Sequence, residues 1–305
     1  MAASSRRSTD AADLFRSSPA VGLSYSPFAE RIVANDPACV DYVEVPFEQL
    51  IHTPGVLALG ERVPLVLHCA SLSIAGNAPP SPALVEQLTG FIGSTRTPWL
   101  GEHLAYVRAD GVWREIAEHP ALIGPESPGG QPFNVGYTVS PQLSEPVLDR
   151  VLERVRAWTR RFDVPVLLEN GPIYFEMPGS TMSQFDFIRA LCGRSDDVRL
   201  LLDLAHLAIT CENLHVDPHD ALSRLPVDRV VEVHLSGISR ESDVTWDDHS
   251  DGAPPIVFAL LEQLLDAASP RAITLEYNWD NDFPADVLMR DCRRVRDLVA
   301  ARASH

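Results

Sequence analysis

VPVLLENGPIYFEMPGSTMSQFDFIRALCGRSDDVRLLLDL, residues 164–204, contains a strand–helix–strand unit. Its two ends, VPVLLEN (164–170) and VRLLLDL (198–204), are short and almost continuous in Val and Leu. Parallel strands buried on both faces read this way. Between them SQFDFIRALCGR (183–194) sets apolar residues at helical spacing, with Ser183 and a following acidic residue placed to cap it. Both strands finish on polar groups, Glu169-Asn170 in one and Asp203 in the other.

The same alternation extends in both directions. Further strands are predicted over 21–25, 40–45, 63–68, 99–104, 229–235 and 272–277, and helices over 81–94, 144–162 (with Ser144 as its cap) and 257–268. Eight strands alternating with helices, and no break in composition, predict an α/β fold: a single (β/α)8 TIM-type barrel over residues 20–300. An open doubly wound sheet is the alternative, but no GxGxxG follows the first strand to supply its cofactor crevice. Residues 1–19 are rich in Arg and Ser without an apolar targeting core, and are expected to be a disordered leader. The Pro-rich stretch 119–143 is expected to be a long loop at the catalytic face.

Composition narrows the classes of function. Of the 305 residues, 45% are hydrophobic and 22% charged, which fits a soluble globular chain with one large core. No run approaches the ~20 apolar residues of a membrane span. Five cysteines with no CxxC pair argue against a disulfide framework or a thiolate zinc site, so the reducing cytoplasm is the expected compartment. A net charge of −17 disfavours both nucleic acid and anionic membrane as partners. A small or peptide substrate fits better.

The strand ends carry the chemistry. Strand three ends in His68, four in Glu102-His103, five in Glu169-Asn170, six in Asp203, seven in His234 and eight in Glu276, and strand two carries Glu44. In a (β/α)8 barrel these positions line the functional mouth. A buried carboxylate there must be paired, protonated or metal-bound. Asp247 and His249 follow strand seven as an Asp-x-His pair, and His206 lies three residues past Asp203. The expected metal ligands are therefore His68, His103, Glu169, Asp203, His206, His234, Asp247, His249 and Glu276. Imidazole and carboxylate without thiolate suit Fe, Mn, Co or Zn. The donors outnumber the needs of one ion, which implies two or three bridged by a carboxylate such as Glu169. Glu102, Asn170 and Glu44 are expected to support the ligands, Glu102 by orienting an imidazole; Glu44 has the alternative of pairing with an arginine inside the barrel. His52, His119, His215, His219 and His305 read as surface or loop histidines, and Cys69 as a small buried side chain.

These residues resemble a known family, the multinuclear non-heme iron-dependent oxidases formerly grouped as a domain of unknown function (692), which includes the methanobactin biosynthesis oxidase. The similarity runs from about Val21 to Arg294, through VGLSYSPF, VDYVEVPFEQL, VPLVLHCASLSIAG, LGEHLAYV, the quoted 164–204 unit with AHLAITCENLHVDP following, VVEVHLSGIS, DDHSDGAPPIVFALL and TLEYNWDNDFP. The resemblance implies a xylose-isomerase-like barrel holding two or three iron ions, mixed Fe2+ and Fe3+, with dioxygen as co-substrate. It implies an oxidase that modifies a residue, with cysteine the first expectation, of a ribosomally synthesised precursor peptide in natural-product (RiPP) biosynthesis. A partner protein that binds the peptide leader belongs to the same expectation. Glu169, Asp203 and His234 are its expected catalytic residues. The sequence departs from the family at three places. Many relatives read Asp-x-Asn-Asn where Asp203-Leu204-Ala205-His206 stands, so Ala205 replaces the Asn ligand and His206, one residue further along, is the candidate to take its place. Leu67-His68-Cys69 replaces Leu-His-Gly. Glu276 precedes Tyr277-Asn278-Trp279-Asp280, which leaves Asn278 as an alternative to Glu276. Two other readings of the chain are a non-redox divalent-metal isomerase or endonuclease of the same barrel type, and a metal-binding scaffold.

Overall fold

The computed structural model describes residues 14–16, 18–35, 40–109, 133–249, 251–277 and 284–303. Its strands, in chain order, are β1 (Ala20–Ser24), β2 (Tyr42–Pro46), β3 (Leu65–Cys69), β4 (Leu100–His103), β5 (Tyr106–Ala109), β6 (Phe133–Val139), β7 (Val166–Glu169), β8 (Arg199–Asp203), β9 (Val230–Ser236), β10 (Ile238–Glu241), β11 (Val244–Asp247) and β12 (Ala272–Glu276). The helices are α1 (Pro27–Asn35), α2 (Phe47–His52), α3 (Pro82–Thr95), α4 (Glu145–Phe162), α5 (Gln184–Arg194), α6 (Leu204–Asn213), α7 (Pro218–Arg224), α8 (Pro255–Ala267) and α9 (Ala285–Ala303).

Eight of the strands close into a parallel barrel in the order β1, β2, β3, β4, β7, β8, β9, β12. These are the eight expected strands, displaced by one or two residues at their ends. Closure is made by β1 against β12, with Ala20 opposite Ala272 and Leu23 opposite Leu275, so the open-sheet alternative is excluded. β5 with β6 and β10 with β11 form two antiparallel hairpins outside the barrel. Neither was expected. The expected 119–143 loop falls partly outside the described residues, at 119–132, and its 133–139 portion is strand β6.

Strand alternation divides the apolar residues into two cores. Those facing outward pack against the helices in one large cluster. Those facing inward at the N-terminal end, including Tyr42, Val66, Trp99, Leu167, Leu201 and Ala272, form a separate plug. Phe15 completes this plug with only 4% of its surface exposed, its ring edge-on to Tyr42 at 5.4 Å and to Trp99 at 4.8 Å. Most of the expected disordered leader lies outside the described residues. Phe15, within it, is ordered because the barrel floor offers its ring two aromatic partners. At Gly22 a Cβ would stand 2.5 Å from the Tyr42 ring, so the first strand leaves space for that phenol.

Ser183 caps α5 as expected, accepting from the Asp186 amide at 3.2 Å. Ser144 makes no side-chain cap bond; its carbonyl accepts from Val147 and Leu148 instead. Among the described residues no helix is long and apolar enough to cross a membrane.

Candidate metal centre

The inward positions that are apolar at the barrel floor become polar toward the C-terminal mouth. Val66 gives way to His68, Leu167 to Glu169 and Leu201 to Asp203, each two residues on and therefore on the same face. β4 contributes His103 and β12 Glu276 by the same period. Gly101 keeps this space open, because a Cβ there would stand 2.6 Å from His68 Cδ2.

Glu169 is the hub. Its Oε2 lies 2.7 Å from His68 Nε2 and 3.3 Å from His103 Nε2, and its Oε1 lies 3.4 Å from His206 Nδ1 and 3.8 Å from His234 Nδ1. Among the described residues four groups of donor atoms each gather within 4.8 Å: Glu44, Glu232 and His234 below the mouth, and three that together contain the expected ligands. The first is His68, His103 and Glu169. The second is Glu169, Asp203, His234 and Glu276, with Glu276 Oε2 3.1 Å from His234 Nδ1. The third is His206, Asp247 and His249, in which Asp247 stands 2.9 Å from each imidazole. All nine expected ligands come together at the mouth, in three sets.

The local structure explains how the third set arrives. Asp203 ends β8 and caps α6, its Oδ1 accepting from the His206 amide at 2.7 Å. That first helical turn points His206 back toward the barrel, where its Nδ1 meets the Asn170 carbonyl oxygen at 2.8 Å. The β10–β11 hairpin carries Asp247 over the mouth, and His249 follows in the left-handed region at φ 54°.

The supporting residues fall in different places. The Asn170 amide bridges the ends of β7 and β8, donating to the Asp203 carbonyl and accepting from the Asp203 amide, both at 2.9 Å. Glu44 meets an imidazole rather than an arginine: its Oε2 is 3.1 Å from His234 Nε2. Glu102 sits beside Cys69 and accepts from the Leu72 amide at 3.4 Å, because its parity is opposite to that of His103. Its task there is to hold the turn after β3, not to orient an imidazole. Cys69 is buried as expected. His52, His215 and His219 are exposed, while His119, His305 and the alternative ligand Asn278 lie outside the described residues.

The chain's own groups do not satisfy this cluster. Asp203 Oδ2 and His234 Nδ1 are buried without a hydrogen-bond partner, and the Glu276 oxygen near the latter lies outside hydrogen-bond geometry. Burial opposes charge on His68, yet the Glu169 carboxylate outweighs it and holds His68 up to about 10. Burial opposes the charge of Glu169 too, and the surrounding imidazoles keep it well below the usual carboxylate range. Burial pushes Asp203 up to about 7 and lowers His103. Partnerless donors around a charged carboxylate, with no thiolate, fit divalent or trivalent cations of the first transition row.

Below the centre lies a layer that sequence reasoning did not assign. Glu232 is fully buried, accepting from Trp99 Nε1 at 2.6 Å and from Thr274 Oγ1 at 2.8 Å, with the Tyr42 hydroxyl at 3.3 Å. Burial, and then Glu44, push it up to about 8. The signal was the Glu-x-His spacing of Glu232 and His234, which places both on one strand face.

The family model for the "RiPP precursor modification enzyme MbnB/TglH/ChrH" matches residues 20–120 and 139–300. A UPF0276 protein of Nitrosospira multiformis is 29% identical over 275 residues, covering 88% of each chain. One from Caulobacter vibrioides is 27% identical over 286 residues, covering 91% of this chain and 94% of its own. Among solved structures, the D-psicose 3-epimerase of Clostridium cellulolyticum (TM-score 0.54, 13% identity) and endonuclease IV of Thermus thermophilus (0.53, 17%) each align with 93% of this chain, covering 99% and 100% of their own lengths. A xylose isomerase domain protein of Planctomyces limnophilus aligns equally well (0.54, 14%), covering 93% of this chain and 97% of its own. At these identities the likeness is one of fold, the xylose-isomerase-like barrel.

Proposed function

Because the chain belongs to the MbnB/TglH/ChrH family of RiPP precursor modification enzymes, and so acts on a precursor peptide, we propose that it is an iron- and dioxygen-dependent oxidase whose target is a cysteine of that peptide. The observation that carries this reading is Glu169, one buried carboxylate with four imidazoles about its two oxygens and partnerless donors beside it. Such a hub suits several ions held about one shared carboxylate.

In this proposal His68, His103 and Glu169 hold one ion, Glu169, Asp203, His234 and Glu276 a second, and His206, Asp247 and His249 a third. Iron, when bound, supplies the redox couple and the open coordination position that dioxygen chemistry requires. The rest is done by the chain. Glu44 accepts the Nε2 proton of His234 and so turns the Nδ1 lone pair toward the centre. Asn170 fixes the spacing between Glu169 and Asp203 by joining their strands. Asp247 holds His206 and His249 on either side of itself. Glu169, Asp203 and His234, which border the middle of the cluster, are the residues closest to the reacting groups.

Metal analysis after anaerobic purification tests the proposal, together with oxygen uptake on adding a cysteine-containing precursor peptide. Bound iron and peptide-dependent oxygen consumption, with a mass change at cysteine, are expected. Bound zinc or manganese with no oxygen dependence overturns it.

A further inference from the structure

A pocket that none of the metal ligands lines lies beside the helix that carries His206. It is walled by the loop from β7 to α5, by the end of α6 and by the segment before α4, with Leu143, Ile173, Met177, Met182, Phe185 and Leu214 as its apolar lining. Its volume is about 150 Å³, close to that of the apolar cavity known to admit benzene. Its walls are tied to the helix that carries His206. Thr210 Oγ1 accepts from the Ile173 amide at 2.9 Å, and Asn213 exchanges two hydrogen bonds, both 3.0 Å, with the backbone of Thr245 in the neighbouring hairpin.

The position relative to the cluster follows from helix geometry. Thr210 lines the pocket one turn beyond His206, about 6 Å along the helix, and Leu214 lies one turn further. An aromatic ledge stands next to both pocket and cluster, since Tyr174 adjoins the lining residues Ile173 and Phe175 and its hydroxyl meets the Asp247 amide at 3.4 Å. Tyr174 packs on Trp246 with ring centroids 4.7 Å apart, and Trp246 immediately precedes Asp247. Among the described residues the exposed large hydrophobics are Ile51, Phe175 and Trp246. Phe175, 64% exposed, sits on the pocket rim and Trp246, 40% exposed, on the ledge. Exposed apolar surface grouped beside a reactive centre marks a place where a ligand is gripped.

We propose that this pocket anchors one phenyl-sized apolar side chain of the precursor peptide, with the peptide crossing the Tyr174–Trp246 ledge to bring another residue to the cluster. An extended peptide advances about 3.3 Å per residue, so the anchor lies roughly two to four residues from the residue that is modified. The pocket thereby selects which residue of a peptide reaches the centre. The proposal rests on the peptide-modifying reading given above.

The test uses the full, metal-loaded chain and N-acetylated, amidated peptides in which one Cys and one Phe are separated by one to five Ala residues, with matched peptides carrying Ala for Phe. Calorimetry is expected to show Phe peptides of the right spacing binding on the order of tenfold more tightly than their Ala partners. Leu214→Trp, which fills the pocket from the helix side, abolishes the preference; Met182→Trp, which fills it from the loop, does so independently if the first variant folds poorly. Equal binding of Phe and Ala peptides, or a preference that survives both variants at unchanged metal content, overturns the proposal. Self-association that vanishes in both variants, with no peptide preference, also overturns it by assigning the pocket to a second copy. Binding is read apart from chemistry: a Phe preference without any change at cysteine leaves the anchor standing and counts against the oxidase instead.

Discussion

Glu169 is stable in the interior only because its charge is answered from four sides. Removing that charge tests the hub directly. Glu169→Gln keeps the side-chain volume but leaves His68 facing a neutral amide. Iron per chain in the anaerobically purified variant is expected to fall by more than half, while Glu153→Gln, at an exposed site on α4, leaves it unchanged. Glu44 acts at one remove. Glu44→Leu withdraws the acceptor that fixes the His234 tautomer, and metal affinity measured by chelator competition is expected to weaken about 10–100-fold with helix content unaltered. At this scale the sequence was informative wherever a single strand decides the outcome. His68, His103, Glu169, Asp203, His234 and Glu276 could be read as strand ends because each stands at or near the end of a short apolar run. It was uninformative wherever two distant strands must first meet. The partner of Glu44 is an imidazole on β9, 190 residues away, and only closure of the barrel brings it within 3.1 Å. Glu102 was misassigned for a related reason, since its neighbour His103 takes the inward parity and leaves it the outward one.

Asp203 ends a strand, starts a helix and faces the cluster. The two oxygens separate these duties: Oδ1 caps α6, and Oδ2 is the partnerless one. Asn caps a helix about as well as Asp, whereas Ala costs about 1 kcal/mol. Asp203→Asn is therefore expected to lose iron while the metal-free chain keeps its unfolding free energy, and Asp203→Ala to lose both, as followed by metal analysis and by denaturant melts of the metal-free proteins. If the two variants unfold alike, capping is not a separate role of this residue. The same junction shows why elements differ in legibility. The barrel strands are apolar on both faces and bounded by turns, so they stood out. α6 follows β8 without a break, and VRLLLDLAHLAIT reads as one apolar run in which no period marks the change from strand to helix. The β10–β11 hairpin has four-residue strands, ISRE and VTWD, too short for their few apolar residues to set up a pattern. Asp247 and His249 were nonetheless identified, because the Asp-x-His pair is a local signal that does not depend on the hairpin carrying it.

For the whole molecule, the centre joins metal occupancy to stability and to pH. Ions that bind only the folded chain stabilise it by mass action, about 2.7 kcal/mol at a free concentration one hundred times Kd, so the melting temperature should rise by several degrees with added ferrous iron under anaerobic conditions. Protons compete for the same donors. In the metal-free chain Glu169 holds His68 up to about 10, and His249, with burial opposing and Asp247 prevailing, stands at about 9. Both are raised above the usual imidazole value of about 6.5, so their pairing stabilises the metal-free fold fully below that value and is lost as the pH climbs through 9 and 10. Asp203, raised to about 7 by burial, has the same sign in a lower window, its effect being lost as the pH climbs from about 4 through 7. The melting temperature of the metal-free protein should therefore fall from pH 7 to pH 10. The loaded protein should not follow it, since a bound cation favours neutral imidazole and ionised carboxylate at these positions. Loading at pH 7 must then expel the protons of His68 and His249. Burial opposes charge on His206 and His234 too, yet Asp203 and Glu44 outweigh it and raise both. Calorimetric titrations of metal into the metal-free chain, run in two buffers of different ionisation enthalpy, should therefore give heats whose difference reports at least two released protons per chain. Equal heats in the two buffers would mean that these imidazoles are already neutral or do not ligate.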